Sequence, residues 1–142
     1  MDKNYIITIV DSHVSQGEKG GSEFTSVGSF QWEENGDYRL SYRETDPSMG
    51  GAVTTIAVSD NAARIEMTRS GPFGTQLIME KNRRHVCLYH TPYGELNLGI
   101  YTGFIKSGMG PAGGTLHFCY TLDFSTGLAS ENELTVTVKE EK

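Results

Sequence analysis

Two cysteines, four prolines and one tryptophan are scattered through 142 residues, and each scarcity removes a class of architecture. Two cysteines are too few for a disulfide-stapled scaffold. So few prolines leave no polyproline or collagen-like tract. No stretch approaches the roughly 18 consecutive apolar residues of a membrane-spanning helix. Basic residues are also in deficit, 12 Lys and Arg against 18 Asp and Glu, for a net charge of −6. That sign repels nucleic-acid backbones and anionic membrane surfaces, so neither is expected as a partner. Met1 to Val10 lacks a basic start, a long apolar run and a small-residue cleavage site, and the expected location is the cytoplasm. No internal repeat, low-complexity tract or linker interrupts the chain, which is read as a single domain spanning residues 1–142.

What the chain does have is glycine, 17 in all, and an apolar share of 37%. Glycine is costly inside helices and useful at turns and bulges. Short runs rich in Ile, Val, Tyr, Phe and Thr recur about every ten residues between turn signals, the pattern of a sandwich or barrel. Tyr5 to Val14 is the first run. A polar turn, Gln16 to Ser22, precedes a second with Phe24, Ser26, Gly28, Phe30 and Trp32 on one face. Asn35-Gly36 is a strong hairpin signal. It leads to a third run with Tyr38, Leu40, Tyr42 and Glu44 on one face, and a fourth with Thr54, Ile56 and Val58 together.

Ile65, Met67 and Arg69 share a face of the fifth run, Thr75 to Glu80 forms the sixth, and Lys81-Asn82-Arg83 turns into the seventh, Arg84 to His90. The eighth sets Leu96, Leu98, Ile100, Thr102 and Phe104 on one side, and Gly108 to Gly114 is expected to be a flexible loop. The ninth carries Leu116, Phe118, Tyr120, Leu122 and Phe124 inward, with His117 and Cys119 outward. The last, Glu133 to Lys139, keeps Leu134, Val136 and Val138 in register. Alternation with a period of two means one buried face and one wet face. Eight to ten such strands with no helix to cover an edge favour closure, because closure removes exposed edges. The expected fold is all-β, a closed antiparallel barrel of meander topology.

An ordered series of short segments then carries a family resemblance. They are Phe24 to Gly28, Leu40 to Thr45, Thr54 to Val58, Met67 to Gly71, Tyr89 to Gly94, Gly113 to Leu116 and Tyr120 to Leu122. Together they resemble the YwiB-like family of bacterial proteins and cover nearly the whole chain. The resemblance implies a calycin-type, lipocalin-like barrel; it implies no activity, cofactor or catalytic residue.

Several constellations bear on function. Arg69 shares the parity of the apolar face, as does Glu44, and the two strands flank the fourth. Two readings stand: a structural plug in which Arg69 packs on an aromatic such as Trp32, or a ligand anchor, since a buried charge needs a partner. His85 with Cys87 and His117 with Cys119 each present two metal-ligand types on one face. An intervening strand holds the pairs too far apart for one site, so no metal is expected. By the same spacing the two sulfurs lie on strands roughly 10 Å apart, and both cysteines are read as free thiols. His90 with Tyr89 and Tyr93 could do acid–base work at a turn, but no nucleophile motif or facing carboxylate pair accompanies them. The leading functional expectation is a binding module for a small, partly apolar ligand, held inside the barrel by Tyr42, Glu44, Arg69, Thr102 and Tyr120, with no cofactor. The alternatives are a non-catalytic structural or interaction protein with a packed interior and, third, an enzyme built on His90. No feature of the sequence sets an oligomeric state.

Overall fold

The computed structural model describes residues 4–15, 17–43, 52–70, 75–91, 94–124 and 127–141. They form ten strands in chain order: β1 (Tyr5–Ser15), β2 (Glu18–Trp32), β3 (Tyr38–Arg43), β4 (Val53–Ser59), β5 (Arg64–Arg69), β6 (Thr75–Glu80), β7 (Arg84–Thr91), β8 (Gly94–Ser107), β9 (Gly113–Phe124) and β10 (Gly127–Glu140). All pair antiparallel in one sheet ordered β6-β5-β4-β3-β2-β1-β10-β9-β8-β7. This is a meander in which the first and last strands, β1 and β10, pair side by side.

The sheet curls into a nearly closed barrel. Its seam, between β6 and β7, is joined at one end by the backbone: Asn82 N–H donates to the Thr102 carbonyl (2.8 Å) and Thr102 N–H to that of Arg83 (3.3 Å). No helix among the described residues is long and apolar enough to cross a membrane.

Alternation explains the core. Along β1, Tyr5, Ile7 and Ile9 are buried while Ile6 and Thr8 between them are half-exposed, and along β4 Thr54, Ile56 and Val58 repeat the pattern. Ile7, Leu40, Ile56, Ile65, Met79, Ile100, Leu116, Phe118 and Val136 are completely buried. Burying such side chains contributes about 1.5–3 kcal/mol each. One end is shut by aromatics: Trp32 stacks on Tyr38 with ring centroids 5.7 Å apart. The Tyr38 hydroxyl bonds Ser107 Oγ across the barrel at 2.7 Å, and burial pushes the Tyr38 phenol pKa up, the Ser107 bond working the other way.

Five local expectations change. The expected turn Gln16 to Ser22 is mostly strand: β2 begins at Glu18, and Glu18 to Ser22 pair with Asp11 to Ser15. Glu18 to Glu23 are all exposed, so both faces are wet and no alternation marks them. Likewise β10 starts at Gly127, six residues before the expected Glu133. The glycine-rich segment after β8 is a tight hairpin rather than a flexible loop. Gly108 N–H donates to the Thr115 carbonyl (2.7 Å), and Gly110 and Gly113 exchange backbone bonds of 2.8 and 3.1 Å. In β8 the register shifts between Thr102 and Ile105, so Ile105 is buried and Phe104 turns outward, where its ring meets His117 at 4.9 Å. At the other end of the same strand Leu96, given inward parity, is 47% exposed, because the tip of the β7–β8 hairpin runs past the core.

Cys87 and Cys119 are both free thiols, on β7 and β9 with β8 between them.

Candidate functional site

The inner face becomes polar away from the aromatic end. On β1 the parity of Tyr5, Ile7 and Ile9 continues through Asp11 and His13, whose Oδ2 and Nδ1 lie 3.1 Å apart. His13 faces Asn132 on β10, Asn132 faces Tyr120 on β9, and Tyr120 faces Thr102 on β8. From the other side of the barrel β5 brings Arg69, opposite Thr54 on β4, which stands opposite Tyr42 on β3. The Phe24 ring lies against Tyr42 with centroids 5.6 Å apart.

Side-chain exposures of 41% for His13 and 27% for Asp11 mark this end as the barrel mouth. Tyr120 sits deeper, stacked on Phe118 at 5.9 Å. Burial first, then the Asp11 carboxylate, push the Tyr120 phenol up to about 12, while the Arg69 guanidinium pulls it down. A cation, an anion and a neutral phenol thus converge over an apolar floor. Next to Tyr120, the completely buried Thr102 Oγ1 has no hydrogen-bond partner among the described residues. Buried hydroxyls are nearly always partnered.

Four of the five residues assigned to the interior therefore face it. Tyr42 and Thr102 are buried; Tyr120 and Arg69 are half-buried. Glu44 lies outside the described residues, and with it the Arg69–Glu44 pair. The plug pairing with Trp32 is replaced: Trp32 and Tyr38 occupy the opposite end. Asp11, His13 and Asn132 were missed, although the parity of β1 and β10 pointed to all three. The side chains of Tyr89 and His90, and the whole of Tyr93, lie outside the described residues. His85 pairs with Glu80 at 2.8 Å and His117 with Glu133 at 2.6 Å; among the described residues no group of three or more His, Cys, Asp or Glu is placed to hold a metal ion.

The raised phenol gives one expected result. A phenol protonated to about pH 12 when folded, against about 10 when unfolded, favours the folded state fully below pH 10. That stabilisation, on the order of 2 kcal/mol, is lost as pH rises from about 10 to about 12. Tyr120→Phe should therefore flatten the alkaline limb of stability against pH. Urea melts from pH 8 to 11.5 check this, and an unchanged limb would show that Tyr120 is solvated.

The molecule is thus a ten-stranded meander barrel with one aromatic-sealed end and one charged mouth. Residues 7–136 match the family described as Domain of unknown function (DUF1934), and the chain belongs to that family. Among solved structures it is similar to the crystal structure of ywiB protein from Bacillus subtilis, with a TM-score of 0.80 and 20% identity over 99% of this chain and 94% of that one. This bears out the YwiB-like resemblance and the barrel. No curated protein matches.

Proposed function

We propose that the domain is a non-catalytic, cytoplasmic binding module of calycin type whose mouth seats a small, partly apolar ligand without a cofactor. The observation that carries this reading is the convergence of Arg69, Asp11 and Tyr120 above the closed core, beside the unpartnered hydroxyl of Thr102. Grouping charges on a half-desolvated apolar surface costs free energy that a plain barrel plug does not require. A ligand carrying one polar group and an apolar body satisfies both parts of the mouth: its polar group meets Arg69 and Tyr120, and its body lies against Phe24, Tyr42 and Met67.

A structural role with a packed interior is the second reading, favoured by the nine completely buried apolar side chains that fill the lower barrel. Native mass spectrometry of protein purified from its own host separates the two. A small-molecule adduct present in the wild type and absent from Arg69→Met is expected, with ligand-free melting of the variant changed by less than about 1 kcal/mol, as for a partly solvated group. No adduct, together with a loss of several kcal/mol in ligand-free Arg69→Met, overturns the binding reading in favour of the structural one.

A further inference from the structure

The outer wall of the barrel carries a second concavity, and it goes beyond the mouth. On the outward face of β8, β9, β10 and β1, one row runs Tyr101, Thr121, Glu131, Val14 and the next runs Cys119, Glu133, Ser12. The register shift in β8 sets Gly103 against Cys119, where a Cβ would come within 2.9 Å of the sulfur. With no side chain at Gly103 the wall is hollow. The resulting groove has a volume of about 400 Å³, within the range of about 300–1,000 Å³ typical of small-molecule sites.

Its two flanks differ in chemistry. Tyr101 and Phe104 form one side, with Tyr101 42% exposed despite its size. Glu131 and Glu133, alternate residues on β10, form the other. Glu133 is engaged by His117 at 2.6 Å, whereas Glu131 is exposed and makes no ion pair with the described residues. The Phe104 ring already attracts a cation, with Lys106 Nζ over the ring 5.0 Å from its centroid, as the negative face of an aromatic ring does. On the floor of the groove Phe104 N–H donates to Cys119 Sγ at 3.4 Å.

We propose that this groove binds a compact organic cation with an apolar body, of the arylalkylammonium class. The ammonium sits between Glu131 and Glu133, and the body lies over Gly103 between Tyr101 and Phe104. The carboxylates of one flank select the positive charge and the rings of the other take the apolar body, while the net charge of −6 steers cations inward.

The test is a heteronuclear NMR titration at low salt with 2-phenylethylammonium, and with 2-phenylethanol as the uncharged body. Saturable shifts at residues 101–104, 119–121 and 131–133 are expected, with the alcohol at least about tenfold weaker. Glu131→Gln, at an exposed position where folding is not at stake, should weaken the cation about tenfold, and added salt should weaken it further. Four outcomes overturn the proposal: no saturable shifts, equal affinity for the alcohol, unchanged affinity in Glu131→Gln, or shifts confined to residues 11, 69 and 120. The last places the cation in the mouth and leaves the outer groove empty, so failure here is distinct from failure of the mouth, which Arg69→Met reports.

Discussion

Phe118→Ala should lower the unfolding free energy by about 3–5 kcal/mol, the cost of an aromatic-to-alanine truncation in a core. Phe118 is completely buried at the middle of β9. It is flanked by Leu134 on β10 and Ile105 on β8, and its ring backs the Tyr120 ring at 5.9 Å. Removing it takes away the transfer free energy of the ring and leaves a void that neighbours held in hydrogen-bonded strands fill poorly. Domains of this size are stable by only about 5–15 kcal/mol, so the loss is about a fifth of the total or more. The effect also reaches the mouth: without its backing the Tyr120 ring gains room and water, and the phenol pKa should fall from about 12 toward its ordinary value. Urea denaturation measures the first effect, as a lower midpoint at constant slope, and ultraviolet titration of tyrosinate the second. Val86→Ala, on the outer face and 60% exposed, should stay within about 0.5 kcal/mol. Equal losses in the two variants would mean that inside and outside are assigned wrongly on β7 and β9.

Inside and outside were legible wherever one face is dry and the other wet. Leu116, Phe118 and Tyr120 alternate with His117 and Cys119 because β9 separates core from solvent, and the period alone reveals it. The same parity turned Tyr42, Thr102, Tyr120 and Arg69 inward. Legibility failed where that contrast vanishes. Glu18 to Ser22 are strand, yet exposed on both faces, and a polar strand reads like a turn. Asp11 and His13 continue an inward series within the first run, but polar side chains at those positions carry no apolar signal to mark the face they share with Ile7 and Ile9. Phe104 lost its inward place to a one-residue shift in β8, which no local pattern announces, since Gly103-Phe104 would serve equally well in a regular strand. The outer groove depends on that shift and on the register of four strands at once. It is a tertiary property, and the sequence shows only its ingredients.

Gly28→Ala should cost about 3 kcal/mol or more, at or beyond the upper end of ordinary overpacking, although the change adds one methyl group. Gly28 occupies an inward position of β2, opposite Tyr5 on β1 and Tyr42 on β3. A Cβ there would overlap the Ser41 carbonyl oxygen and come within 2.7 Å of Ile7 Cδ1. Ile7 can rotate, but the carbonyl belongs to the backbone of β3 and moves only if the β2–β3 ladder opens. The glycine is therefore required by a close approach of two chains, as expected where a long strand bends around a barrel. Gly36 makes the contrast. Its φ of +94° is left-handed and its surroundings are open, so Gly36→Ala meets no atom and costs only the backbone strain, about 1–2 kcal/mol. Equilibrium denaturation should rank Gly28→Ala as clearly the worse of the two, although Gly36 has the rarer conformation. Because Gly28 faces Tyr42, and Tyr42 packs on Phe24 at 5.6 Å, the Gly28 variant should also displace the aromatic wall of the mouth and weaken whatever adduct the wild type carries, whereas Gly36→Ala should leave it intact. The opposite ranking would place β2 and β3 farther apart than the Gly28–Ser41 contact requires, and would loosen the wall on which the mouth is built.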